Sequence, residues 1–158
     1  MSDHPKRIHI MEVGPRDGLQ MEERRLDVGE KLALVDALAE SGLAEIEVGS
    51  FVHPGRVPQM ADTDAVFAAL ARRPGVAYRA LWLNRRGLER ARTAGADLTA
   101  KLSIATSETF GRRNVGRSFE ETLATMPQWL EIYAEEGLRD VSLGVMTAFG
   151  CTFGFSRL

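Results

Sequence analysis

Residues 12–20 read Glu12-Val13-Gly14-Pro15-Arg16-Asp17-Gly18-Leu19-Gln20. The alternating apolar run before them predicts a first strand over residues 7–13, with His9 on one face and Ile8 and Ile10 on the other. Gly14-Pro15 makes a turn, and Gly18 permits close approach of backbone or ligand. Glu12, Arg16, Asp17 and Gln20 thus arrive together at the C-terminal end of a strand, where functional loops gather in parallel α/β proteins. A carboxylate there suits a hard divalent cation, and a neighbouring guanidinium suits a carboxylate or an enolate oxygen. Taken alone, Arg-Asp-Gly reads as a solvated turn, because turns are rich in Asp and Gly.

The same pattern recurs outward from this point. A helix is expected over residues 29–41, with Leu32, Val35, Leu38 and Ala39 on one face and Gly42 as its stop. A second strand follows at 44–48, a helix at 62–72, a third strand at 76–83, and a helix at 85–94 capped by Asn84 and closed by Gly95. The fourth strand is expected at 98–105 and the fifth at 141–148. Between them Ser118 and Glu121 have capping-box form and open a helix to about residue 136, with Leu123, Met126, Leu130 and Tyr133 inward. Pro127 should kink or restart that helix. Strand and helix in alternation imply an α/β protein with about five parallel strands and four helices. A doubly wound sheet would be complete at this length, whereas a (β/α)8 barrel needs about 250 residues.

The string from Glu12 to Gln20 resembles the signature after the first strand of the DRE-type metal-dependent lyases and acyltransferases, in the form found in the 3-hydroxy-3-methylglutaryl-CoA lyase branch. Support comes from Glu45-Ile46-Glu47-Val48-Gly49-Ser50-Phe51-Val52 and from Val57-Pro58-Gln59-Met60. The resemblance continues through Asn84, Ala94-Gly95-Ala96, Ser107-Glu108 and Asn114. It implies the N-terminal part of a (β/α)8 TIM barrel spanning residues 1–158.

The implied chemistry is retro-Claisen cleavage of a tertiary 3-hydroxyacyl-CoA to acetyl-CoA and a 3-oxo acid, aided by Mg²⁺ or Mn²⁺. On this resemblance Asp17 is the metal ligand, Arg16 the cation that steadies the departing enolate, and Gln20 a neighbour at the substrate. Glu47 matches a carboxylate close to the reacting centre, and Glu12 orients the loop. His53 matches no ligand and reads as a turn histidine; His4 lies in the tail. Cys151 resembles a Gly-Cys element of the family but not its acid cysteine.

The family's metal site also needs a His-x-His pair, which this sequence lacks, and residues 152–158 depart from the family's usual continuation. The chain therefore reads as truncated after the fifth strand, by frameshift, premature stop or excision. As such it is expected to lack lyase activity and to pair or aggregate through exposed sheet edges, as a homodimer for example. A net charge of −2, without a basic cluster, gives no case for nucleic acid or a membrane surface, and no apolar run reaches the roughly 18 residues of a span. A single cysteine agrees with a cytoplasmic location. A lyase for a larger branched acyl-CoA, a condensing synthase of the same superfamily, a non-catalytic CoA-binding or pairing module and a gene remnant are the competing readings.

Overall fold

A computed structural model describes residues 5–153, which divide into two compact units at Leu98/Thr99. In the first unit, three parallel strands form one sheet in the order β1 (Met11–Glu12), β2 (Glu45–Ser50), β3 (Ala77–Leu81). Their connections carry α1 (Val28–Glu40) and α2 (Thr63–Ala69), and α3 (Arg85–Thr93) follows β3. In the second unit β4 (Ala100–Ala105) pairs in parallel with β5 (Val141–Met146), joined by α4 (Glu108–Val115) and α5 (Phe119–Glu135).

Helix ends in the first unit follow local chemistry. Asp27 caps α1 in a full capping box with Glu30, and Gly42 follows its end at φ +89°. Asn84 caps α3 through the amide of Gly87, as the sequence predicts. Val35 and Ala39 of α1 are buried, with Leu32 and Leu38 packed at the margin, so the expected face is the observed one. They meet Ile46, Val48, Val66, Phe67, Tyr78 and Ala80 in one core. Helix α2 stops at Ala69, short of residue 72, because Leu70 turns extended and packs its side chain against that core.

The first strand is far shorter than residues 7–13. Met11 stands opposite Glu45, so residues 7–10 run beside residues 41–44, the turn that closes α1 and offers no ladder. Ile8 and Ile10 are accordingly exposed, while His9 pairs through Nε2 with the Glu45 carboxylate.

The second unit holds two departures. Helix α4 was not expected; Ser107 caps it through the Phe110 amide, and Gly116 ends it at φ +75°. Helix α5 runs through Pro127 without interruption. Tyr133 is buried as expected, together with Ile132, whereas Leu123 and Leu130, also expected inward, are each 46% exposed. The Tyr133 hydroxyl donates to the Lys101 carbonyl of β4 at 2.9 Å and ties the C-terminal part of the helix to the strand.

Candidate functional site

The site begins where β1 ends. Residues Gly14–Gly18 form a single π-helical turn in which the Arg16 and Asp17 amides both donate to the Val13 carbonyl, at 3.1 and 2.7 Å. Pro15 is fully buried and anchors the turn. Glu12 bends back to accept from the Gly14 amide at 2.6 Å, and a side chain at Gly14 would collide with that carboxylate at 2.8 Å. A side chain at position 14 would therefore push the Glu12 carboxylate aside and disturb its bond to the Gly14 amide. A side chain at Gly18 would meet nothing within 4 Å.

Arg16 joins the turn to β2. Its Nε and one terminal nitrogen both reach Glu47 Oε2 at 2.6 Å, while the other terminal nitrogen donates to Asp17 Oδ1 at 2.6 Å. The two carboxylates differ in setting. Glu47 keeps 10% of its side-chain surface and Asp17 59%, so the first is a fixed anchor and the second a solvent-facing partner. Water screens the Asp17 contact and makes it the easier one to exchange. Gln20 lies half-buried one helical turn further on.

The structure thus brings Glu12, Arg16, Asp17 and Glu47 to one strand end. The other sequence candidates lie apart. His53 accepts from the Gly55 amide within its own exposed turn, as a turn histidine should. In the second unit the Cys151 thiol donates to Ser107 Oγ at 3.2 Å, beside a Thr106–Thr147 cluster. His4 and residues 154–158 lie outside the described residues.

Two polar side chains were missed from sequence. Lys31, buried within α1, donates to the Gln59 carbonyl at 2.5 Å and forms an ion pair with Asp62; Gln59 in turn donates to the Glu22 carbonyl at 3.0 Å. This chain of bonds ties the segment after β2 to the loop after the π turn. Lys31 lies four residues before Val35 and eight before Ala39, on the buried stripe of α1, and that spacing is the signal that could have found it. The other is Ser50, at the end of β2.

At the start of β2, burial pushes the Glu45 carboxyl up. Hydrogen bonds from His9 and Arg79, with their charges, outweigh it and leave the pKa below its ordinary value.

A divalent cation needs several oxygen or imidazole ligands in one place. Among the described residues no three His, Cys, Asp or Glu side chains are placed to hold one ion, and one Asp17 oxygen already faces Arg16. The residues present therefore do not fit a complete metal centre.

Against known proteins, the HMGL-like family model matches residues 7–155. The 3-hydroxy-3-isohexenylglutaryl-CoA/hydroxy-methylglutaryl-CoA lyase of Pseudomonas aeruginosa is 42% identical over 149 residues, covering 94% of this chain and 49% of its own. The crystal structure of hydroxymethylglutaryl-CoA lyase from the same organism superposes with a TM-score of 0.85 at 41% identity, over 97% of this chain and 51% of that one. An Acinetobacter baumannii HMG-CoA lyase, solved in complex with coenzyme A and 3-methylmalate, gives 0.81 at 31% identity, over 94% and 48%. The chain spans about half the length of the relatives it matches. Its parallel α/β pattern is that of the N-terminal part of the lyase barrel. On the match across residues 7–155, the chain belongs to the HMGL-like family.

Proposed function

We propose that this chain supplies the strand-end half of an acyl-CoA lyase site, for retro-Claisen cleavage of a 3-hydroxy-3-methylacyl-CoA to acetyl-CoA and a 3-oxo acid such as acetoacetate. The observation that carries the reading is the unequal grip on Arg16: a nearly buried Glu47 on one edge and an exposed Asp17 on the other. When the carbon–carbon bond breaks, negative charge develops on the thioester oxygen of the departing enolate. A guanidinium already aligned by Glu47 meets that charge without reorganising, once the ligand oxygen takes the place of Asp17 on its outer edge. Glu47 is then a positioning residue. Glu12 holds the Gly14 turn that presents Arg16, and Gln20 borders the acyl group.

The proposed cation is Mg²⁺ or Mn²⁺, with Asp17 offering one oxygen and the other ligands supplied from outside the described residues. Such an ion would polarise the substrate hydroxyl and a carbonyl oxygen. The solvent-facing position of Asp17 and the single cysteine are compatible with a cytoplasmic protein acting on a soluble acyl-CoA.

A second reading, cleavage of a larger branched acyl-CoA, draws on the Pseudomonas aeruginosa relative, whose name includes the isohexenyl substrate. Calorimetric titration with 3-hydroxy-3-methylglutaryl-CoA and with a longer-chain analogue separates the two. The proposal expects saturable binding that Arg16→Ala removes, with no acetoacetate released by this chain alone in Mg²⁺. Binding that survives Arg16→Ala would overturn it, and robust turnover would overturn the incomplete-site reading.

A further inference from the structure

Strand β2 carries another polar group beside Glu47, put there by an irregularity in its ladder. Glu45 pairs with Ala77 and Glu47 with Arg79; Gly49 then pairs with Ala80 and Ser50 with Leu81, leaving Val48 without a partner. Side chains alternate along a strand, so in a regular β2 Glu47 and Ser50 would face opposite ways. One extra residue reverses that and puts both on the face shared with Ala77, Arg79 and Leu81. Two contacts agree: Glu45 on this face bonds Arg79, and a side chain at Gly49, on the other face, would strike Thr63 Oγ1 at 2.8 Å.

Ser50 is 1% exposed, and its hydroxyl has no hydrogen-bond partner among the described residues. Leaving a buried hydroxyl unpaired is costly. Bulges cluster next to active sites because they re-aim side chains. Here the bulge delivers an unpaired donor to the face that holds the anchor of Arg16.

We propose that Ser50 is a ligand-positioning residue, whose hydroxyl donates to an oxygen at the acyl end of the molecule received by Arg16. The inference rests on the acyl-CoA reading above. Its burial restricts it to a small polar group inserted at the strand ends, which selects the acyl head rather than the nucleotide of CoA.

The test pairs binding with stability on the whole chain. Ser50→Ala should weaken 3-hydroxy-3-methylglutaryl-CoA binding about tenfold and leave unmodified CoA unchanged, while the urea midpoint stays level or rises because an orphan donor is gone. A merely structural hydroxyl would give a lower midpoint and unaltered relative affinities, and either result overturns the assignment. If the unsubstituted chain binds neither probe, the acyl-CoA reading itself fails and Ser50 falls with it. If it binds both and Ser50→Ala does so equally well, only the Ser50 assignment fails.

Discussion

Arg16 shows how exposure ranks two contacts of equal length. Both carboxylates lie 2.6 Å away, yet only Glu47 is nearly withdrawn from water. Arg16→Ala should destabilise the first unit by about 2 kcal/mol, less than for a fully buried pair because both side chains keep some solvent. Asp17→Asn should change stability by less than about 0.5 kcal/mol. Urea unfolding of the two variants measures the contrast, and equal costs would contradict the ranking. Glu45 makes a pH prediction with a definite sign. Its folded pKa is depressed, so it contributes stability above its unfolded value near 4.5, lost as the pH falls through the lower folded value. Glu45→Gln should therefore flatten the acid limb of the stability curve below about pH 4.5, with little change in slope at neutral pH. Stability followed by urea midpoint from neutral to acid conditions reads this directly.

At the scale of elements, Lys31 and Pro127 mark the limits of local rules. Lys31→Met would leave Asp62 a largely buried charge without its cation, at a cost of about 3 kcal/mol. It should also release the Gln59 carbonyl, so amide exchange in residues 56–62 should quicken more than in α3. Unchanged exchange there would show that the segment is held by other contacts. Pro127 lacks the amide that would bond Leu123, but α5 continues, and Leu123 is itself half-exposed, where water can serve its carbonyl. Pro127→Ala should raise the melting temperature through the restored hydrogen bond, and a fall would show that proline packing matters more. Capping chemistry was legible at Asn84 and Ser118 because a cap is a contact between residues three apart; Asp27 and Glu30 make the same contact at α1. Helix α4 carries the same signals at Ser107 and Gly116, but Glu108–Val115 holds only Phe110 and Val115 as large apolar side chains, too few to mark a helical period in sequence.

For the molecule as a whole, strand length and helix burial depend on what lies opposite. Residues 7–10 alternate as a strand should, but their register sets them beside a helix-closing turn. In the second unit Leu143 and Val145 of β5 are 56% and 50% exposed, on a strand whose ladder partner among the described residues is β4. Exposed apolar strands of this kind favour association. Sedimentation should find concentration-dependent self-association that Leu143→Lys with Val145→Lys reduces, and a monomer at every concentration would remove that expectation.

The sequence by itself determined the alternation of strands and helices, the capped helix starts and the grouping of Glu12, Arg16 and Asp17 at the end of β1, since each depends on residues close together in the chain. Tertiary structure alone decided that Glu47 grips Arg16 while Asp17 stays in water, that Lys31 pairs with Asp62, and that a bulge turns Ser50 to the face of Glu47. Those outcomes depend on register and burial, which arise only when distant segments pack, and local pattern does not encode them.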